Sequence, residues 1–126
     1  MMIRYRMIDS NILNINGKEL IFDNNINNVI EYNNILIVHV FNNNSSTMLE
    51  QPVNNIYGVS NTGKIIWNIQ EFFNNSNNEM YNSFHDISCV SMYMNQEGEL
   101  IIVTYDGLAY VLDIENMQIV RRLTTK

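Results

Sequence analysis

Two apolar runs joined by an Asp-Gly dipeptide constrain the fold of this chain more than any other feature. They form the segment LIIVTYDGLAYVLD at 100–113, and Asp106-Gly107 lies between its halves. This dipeptide readily adopts the two positive φ angles of a type I′ turn, so the segment is predicted to be a β-hairpin in which Tyr105 pairs with Leu108. Both faces of that hairpin are apolar. The sequence therefore predicts a sheet that is covered on both sides.

An earlier stretch of the chain repeats this pattern. The run ILIVHV at 35–40 aligns without gaps on LIIVTY at 100–105, and YGVS at 57–60 aligns on YVLD at 110–113. A short strand precedes each copy, and a turn with a further strand follows it. Each copy is therefore predicted to contain four short antiparallel strands joined in sequence, the pattern of a β-propeller blade.

The pieces YGVSNTGKIIW and YVLDIENMQIV resemble a known type of repeat. They are similar to the outer half of blades in quinoprotein-type propellers, where a Tyr, a small polar turn residue, a Gly and a Trp recur. The resemblance covers residues 29–124, but Met117 stands in place of the Gly and the second copy ends without a Trp. It implies blade architecture. The ligands that such enzymes use for a quinone have no counterpart in the sequence, so no cofactor is expected.

The length of the chain limits how these blades are arranged. At 126 residues the chain has the size of one domain, while a closed propeller needs at least four blades of about 40 residues each. We predict a single all-β domain, 1–126, with two four-stranded antiparallel blade-like sheets and an N-terminal hairpin, packed as a partial propeller or a sandwich. The predicted units are the hairpin at 1–27, blade-like repeats at 28–70 and 88–125, and a connector at 71–87.

Two turns near the start of the chain are also predicted. Within 1–27, strands are expected at 3–8, 12–15 and 19–22, with a type I′ turn at Asn16-Gly17 between the last two. The first two strands of the repeat at 28–70 are expected to turn at Asn33-Asn34, because asparagine tolerates left-handed backbone geometry.

Three segments between the strands are predicted to be irregular. Residues 23–28 form a polar link, and residues 42–54 are an insertion of the kind that lies on the rim of a blade and can carry binding. The Asn-rich run of the connector argues against regular structure there. The connector is nevertheless too apolar for a solvent-exposed linker, and its Phe72, Phe73 and Phe84 are expected to fill the gap between the sheets or, alternatively, to anchor a partner.

Charge is distributed unevenly along the chain. The formal charge is −6, and six of the seven basic residues lie near the two ends. Between positions 19 and 120 there are 12 acidic residues and one basic residue, Lys64, a net charge of −11. Such a surface attracts basic partners and repels nucleic acid, because phosphate binding requires lysine and arginine. The competing interpretation is that the carboxylates only keep a small apolar protein in solution.

The sequence also predicts a cytoplasmic location without membrane contact. No apolar run approaches the ~20 residues of a membrane span, and the start MMIRYRMIDS lacks the apolar core of a signal peptide. Cys89 is the only cysteine, which excludes an internal disulfide and fits a reducing compartment.

No motif in the sequence indicates catalysis or metal binding. His85 and Asp86 are the nearest approach to an acid–base pair, but adjacent side chains rarely reach one atom, and no motif places a nucleophile. His39 aligns with Thr104 and is predicted to be a core or sheet-face histidine, and Cys89 a small buried residue. Two histidines without ligand spacing do not make a zinc site. We therefore predict neither catalytic nor metal-binding residues.

A small acidic all-β protein without catalytic groups resembles, by type, the immunity proteins that bacteria encode beside secreted polymorphic toxins, including contact-dependent growth inhibition systems. The resemblance implies a basic toxin domain, such as a nuclease, as partner, which opposite charge helps to recruit. The expected contact residues are carboxylates and two aromatic anchors: Glu31, Glu50, Glu71, Glu79, Tyr81, Phe84, Asp86, Glu97, Glu99 and Asp106.

The alternative hypothesis is a structural module that self-associates through its sheet edges, for example as a homodimer. The arginines near the two ends would then pair with an acidic face of another copy: Arg4, Arg6, Arg121 and Arg122.

Overall fold

The computed structural model describes residues 3–43 and 51–123, and most of them lie in antiparallel strands. The order along the chain is β1 (Tyr5–Asp9), β2 (Ile12–Ile15), β3 (Lys18–Ile21), β4 (Asn25–Tyr32), β5 (Ile35–Phe41), β6 (Ile56–Ser60), β7 (Ile65–Asn68), α1 (Ile69–Asn74), α2 (Glu79–Asn82), β8 (Cys89–Met94), β9 (Leu100–Thr104), β10 (Ala109–Asp113) and β11 (Gln118–Leu123). One three-stranded sheet, β1-β2-β3, precedes two four-stranded sheets, β4-β5-β6-β7 and β8-β9-β10-β11. The predicted all-β fold with two four-stranded antiparallel sheets is confirmed.

The N-terminal unit is a three-stranded sheet, and its strands lie close to the three predicted within 1–27. Its β2–β3 turn has the predicted type I′ form, since Asn16 and Gly17 have φ angles of 50° and 94° and Ile15 pairs with Lys18. Leu13 and Ile15 are buried against the second sheet in one apolar cluster.

The polar link predicted at 23–28 is wrong beyond its first two residues, because β4 begins at Asn25. Ile26 is buried in the cluster beneath the N-terminal sheet, and this apolar anchor extends the strand toward the start of the chain. The turn after β4 agrees with the prediction. Asn33 and Asn34 both have positive φ angles, 46° and 68°, a backbone conformation that asparagine tolerates better than most residues.

The hairpin at 100–113 forms, but its predicted register is wrong by one residue. Val103 pairs with Ala109 rather than with Tyr110, and Tyr110 pairs with Ile102. Tyr110 and Ile102 therefore lie on one face of the sheet, in the core shared with the second sheet, while Ala109 lies on the other face with Val103. Both faces of β9 and β10 are buried, as their apolar sequences predict.

The slip in register arises in the turn, which is a three-residue loop at 105–107. Only Gly107 has a positive φ angle, 88°, and the Thr104 amide donates to the Leu108 carbonyl at 2.9 Å. The Asp106 carboxylate accepts from the Thr104 hydroxyl and from the Leu108 amide. These bonds favour a type I turn with a glycine bulge over the two-residue type I′ turn.

The sequence alignment of the two copies of the repeat is also wrong by one residue in the strand after the turn. Gly58 pairs with Ile37 in the second sheet, as Tyr110 pairs with Ile102 in the third. Tyr57, which the sequence alignment matches to Tyr110, therefore lies on the opposite face. There its ring packs 5.5 Å from the ring of Phe22, against the N-terminal sheet.

The connector at 71–87 is not irregular, since it contains α2 and most of α1. Ile69, Phe72 and Phe73 are spaced to share one helical face, and all three are fully buried. The Glu71 carboxylate accepts a hydrogen bond from the backbone N–H of Asn68 at 3.1 Å and caps the first turn. The prediction that Phe72 and Phe73 fill the space between the two four-stranded sheets is confirmed.

Candidate functional site

A cleft of about 390 Å³ lies between the connector and the β9–β10 turn. Its apolar lining includes the aromatic rings of Phe73, Phe84, Tyr105 and Tyr110. Its polar lining includes two carboxylates and a histidine: His85, Asp86 and Asp106. The cleft is the place where charged and aromatic groups from separate parts of the chain meet.

Tyr110 forms part of the lining and is 2% exposed. Its ring makes edge-to-face contacts with Phe73, at a centroid distance of 5.2 Å, and with Tyr81, at 5.7 Å. Burial raises the pKa of Tyr110, the Asp106 carboxylate raises it further, and the Arg122 guanidinium opposes both. The phenol is therefore a neutral polar group in an aromatic cluster.

Phe84, which forms part of the cleft wall, is held against α1. The Phe84 ring packs 6.0 Å from that of Phe73 and 6.2 Å from that of Tyr81. The Gln70 side chain donates to the Phe84 carbonyl at 2.8 Å. Phe84, predicted as a gap filler or an anchor, and Tyr81, predicted as an anchor, are thus half-buried side chains of the aromatic cluster.

Hydrogen bonds also fix the segment that follows the wall. The Ile87 carbonyl accepts from the Asn54 amide at 2.6 Å, and the Ser88 hydroxyl donates to the Pro52 carbonyl at 2.9 Å. The Ser88 carbonyl accepts from the Tyr105 amide at 3.0 Å. One side of the cleft is therefore tied both to the loop of the second sheet and to the turn of the third.

The two carboxylates of the cleft are open to solvent and differ in how they are held. Asp86 has a φ angle of 55°, uncommon for a residue other than glycine, and its side chain makes no hydrogen bond with the described part of the chain. Asp106 uses Oδ1 for the bonds to Thr104 and Leu108. Its Oδ2 has no such partner among the described residues. No lysine or arginine lines the cleft within 3–43 and 51–123.

A buried polar network lies behind this segment, between the second and third sheets. His39 Nε2 donates to the Cys89 carbonyl at 2.7 Å, and Nδ1 accepts from the Asn27 side chain at 3.1 Å. The Asn55 side chain donates to the same Cys89 carbonyl and accepts from the Cys89 amide. The predictions of a core His39 and a buried Cys89 are confirmed.

Burial determines the protonation of this network. Burial lowers the pKa of His39, and its bond to the Cys89 carbonyl opposes that shift only in part. The neutral ring, with its hydrogen on Nε2, satisfies both hydrogen bonds. Burial raises the pKa of the Cys89 thiol, which makes it a poor nucleophile.

The structure brings four of the predicted contact residues together and separates the others. Tyr81, Phe84, Asp86 and Asp106 meet at the cleft or in its aromatic wall, and α2 also carries Glu79, which is exposed. Glu50 lies outside the described residues.

The remaining predicted residues lie elsewhere and have local roles. Glu97 and Glu99 are in the β8–β9 turn, at the opposite end of β9 from the cleft, and Glu99 forms a 3.1 Å ion pair with Arg121. The Glu31 carboxylate accepts from the Ile3 amide at 3.3 Å. Glu71 caps α1 and is half-buried. The expected contact residues therefore do not all lie at the cleft.

Sequence reasoning missed Tyr105 as a member of the site. Its side chain is 57% exposed and lines the cleft beside Asp106. In the sequence it continues the apolar run of β9, so no local signal separates it from the core positions that precede it.

Two further properties of the described residues bear on function. They contain no group of three or more His, Cys, Asp or Glu side chains that could hold a metal ion. Within the same ranges, none of the helices has the length and apolar character needed to span a membrane.

The fold and the cleft define an all-β protein of three antiparallel sheets, with an acidic, aromatic-lined cleft at one end of the third. The chain belongs to the family described as Domain of unknown function (DUF7957), whose family model matches residues 2–123. No curated protein matches the chain.

Proposed function

We propose that this protein is a non-enzymatic cytoplasmic inhibitor that binds a basic protein at the cleft, in the manner of immunity proteins that neutralise toxins. The observation that carries the proposal is the placement of Asp86 and Asp106 at an aromatic-lined cleft that no described cation lines. Two carboxylates from different parts of the chain line the same cleft, and no lysine or arginine of the described residues lines it with them, although the Arg122 guanidinium interacts with the Tyr110 phenol. A cationic group from outside complements them.

Electrostatics favours a basic protein as the partner over nucleic acid. The chain carries a formal charge of −6, and nucleic acid binding requires cations that the cleft does not supply. Opposite charge accelerates association and disfavours wrong partners. A basic nuclease toxin, which must itself bind phosphate, presents the complementary surface.

The walls of the cleft are held in place before any partner arrives. Gln70 fixes Phe84, and the Ser88 carbonyl fixes the Tyr105 amide. A preformed site loses less conformational entropy on binding than a mobile one, so more of its contact energy contributes to affinity.

Exposed apolar groups beside the cleft extend the proposed contact. Tyr105, which lines the cleft, is 57% exposed. Met80 is 52% exposed and precedes Tyr81, whose ring packs against Phe84 and Tyr110 of the lining. Tyrosine and methionine are enriched at protein interfaces, while charged groups at the rim mainly affect association rate.

The test uses the product of the adjacent gene as the partner. Both proteins are purified, their dissociation constant is measured by calorimetry, and protection is scored as survival of cells that express the partner. The double variant Asp86→Asn/Asp106→Asn is expected to weaken binding by about 100-fold, roughly tenfold per carboxylate. Glu97→Gln, at the opposite end of β9, is the matched control and is expected to bind normally.

Two results would contradict the proposal. One is the absence of any complex or protection with the adjacent product. The other is a complex that the double variant and Glu97→Gln weaken equally, which would show a general charge effect without a localised site.

Self-association is the second candidate, and a groove on the N-terminal sheet favours it. This groove of about 530 Å³ is lined by basic and amide side chains, Arg4, Arg6, Asn14 and Asn16 among them. All five residues of the adjacent edge strand β1 are exposed. A basic groove and an acidic cleft on one chain favour head-to-tail contacts between copies. Arg121, by contrast, is already paired with Glu99 of its own chain.

Light scattering over a range of concentrations distinguishes the two candidates. Self-association predicts a mass that rises with protein concentration, falls with added salt and falls in Arg4→Gln/Arg6→Gln. A constant monomer mass contradicts this candidate and leaves the inhibitor proposal in place.

A further inference from the structure

We infer that the cleft accepts an arginine side chain of the partner polypeptide, with its guanidinium group at Asp86 and Asp106 and its plane against the aromatic lining. This inference rests on the proposed function and deepens it by naming the chemical group that is recognised. It commits the site to a single inserted side chain.

The carboxylates supply the first argument, which is the need for a cation. Asp106 Oδ2 and both oxygens of Asp86 have no hydrogen-bond partner among the described residues, while Asp106 Oδ1 is anchored by the Thr104 hydroxyl and the Leu108 amide. The anchored carboxylate keeps one oxygen free for an external donor. A charge-assisted bond to that oxygen is about twice as strong as a neutral one.

The aromatic lining supplies the second argument, which favours guanidinium over ammonium. Tyr105 and Phe84 offer ring surface in the same cleft as the carboxylates. A guanidinium group is planar, stacks on aromatic faces and donates to carboxylates through several N–H groups in a fixed geometry. A lysine ammonium is more strongly hydrated and gains less from such a wall.

The size of the cleft supplies the third argument. Its volume of about 390 Å³ is near the lower end of the roughly 300–1,000 Å³ found for small-ligand sites. This is enough for one long side chain with a few waters. It is too little for a helix or a strand of the partner.

The test is a titration of the labelled protein with three capped tripeptides, followed by NMR. The probes are acetyl-Gly-Arg-Gly-amide, its lysine equivalent and its citrulline equivalent, which has nearly the shape of arginine without the charge. The arginine peptide is expected to bind with a dissociation constant on the order of 1 mM and to shift amide signals at 84–88 and 104–108. The citrulline peptide is expected to bind at least about tenfold more weakly, and lysine to fall between them.

Two conservative variants test the assignment to individual carboxylates. Asp86→Asn keeps a residue that tolerates the positive φ angle, and Asp106→Asn keeps an Oδ1 acceptor for Thr104 and Leu108. Each is expected to weaken the arginine peptide by about tenfold with an unchanged fold. Glu97→Gln is the matched control and is expected to leave the affinity unchanged.

Specific results overturn the inference. These are equal binding of the arginine and citrulline peptides, shifts centred on the β8–β9 turn, or no shifts up to about 20 mM peptide. If the arginine peptide does not bind, but the Asp86→Asn/Asp106→Asn variant binds the adjacent gene product more weakly than the parent protein does, the inhibitor proposal stands and the arginine pocket is wrong. If the peptide binds but no basic protein is neutralised, the proposed function is wrong and the pocket stands.

Discussion

The Trp67 indole covers the backbone of Gly58 so closely that a Cβ atom at position 58 would lie 2.2 Å from Trp67 Cε2. In the third sheet the corresponding position, opposite Ile102, carries the side chain of Tyr110. The two copies of the repeat thus bury an aromatic ring in their shared core by different routes. In the third sheet the ring is that of Tyr110 in the central strand β10. In the second sheet it is that of Trp67 in the edge strand β7, and it lies over Gly58.

Gly58→Ala is expected to destabilise the fold by about 2–3 kcal/mol, because the methyl group must displace a buried indole. Chemical unfolding followed by tryptophan fluorescence and circular dichroism measures the loss. The double variant Gly58→Ala/Trp67→Ala completes the cycle, and its loss is expected to be smaller than the sum of the single losses. Additive losses would contradict contact between these two residues.

Tyr110→Ala is expected to destabilise the fold by ~3 kcal/mol or more, as the removal of a buried aromatic side chain does. Tyr105→Ala, five residues earlier and 57% exposed, is the control and is expected to lose less than about 1 kcal/mol. Urea unfolding of both variants gives the comparison. A loss below about 1 kcal/mol for Tyr110→Ala would remove this residue from the core.

Local sequence predicted the tight turns of this fold but not their effect on register. Asn16-Gly17 and Asn33-Asn34 form two-residue turns because their backbones tolerate positive φ angles. Asp106-Gly107 is compatible with both a two-residue and a three-residue loop. The hydrogen bonds of the Asp106 side chain select the longer loop. The longer loop shifts the pairing of β10 with β9 by one residue, so that Tyr110 shares a face with Ile102 and not with Val103.

The candidate site was predicted only in part, because its members meet through tertiary packing. Phe84 and Asp86 come from the connector and Asp106 from a hairpin, and no periodicity in the sequence relates them. The Asn-rich composition of the connector also concealed two short helices, of which α1 is stabilised by the burial of Phe72 and Phe73. Charge alone placed Glu97 and Glu99 in the site, although they lie at the opposite end of β9.

Glu71 serves the fold rather than the proposed contact. Because its carboxylate caps α1 through the Asn68 amide, Glu71→Ala is expected to lower stability by about 1 kcal/mol. Glu71→Gln keeps an acceptor and is expected to recover most of that loss. Glu79→Ala, in the exposed first turn of α2, is the matched control. A larger loss of partner binding than of stability in Glu71→Ala would contradict this role.

His39 is expected to make the fold less stable in mildly acidic solution. Burial holds the pKa of its folded form below the ordinary value of 6.5, so below that pH the unfolded chain binds a proton that the folded chain does not. The free energy of unfolding therefore falls as the pH drops from 6.5 toward the lowered pKa, by at most about 1.4 kcal/mol per pH unit from this group. Above 6.5 the neutral ring contributes no pH dependence.

The variant His39→Gln isolates this contribution, because glutamine retains a donor for the Cys89 carbonyl but does not titrate. Urea unfolding at about pH 7 and about pH 5.5 is compared between this variant and the parent protein, so that effects of the exposed carboxylates cancel. The variant is expected to start less stable, since the bond to Asn27 is lost, and to lose less stability on acidification. His85→Gln, at an exposed position of the cleft, is the matched control, since it replaces a histidine outside the buried network. Equal losses of stability in His39→Gln and the parent between the two pH values would contradict a lowered pKa for His39 in the folded protein.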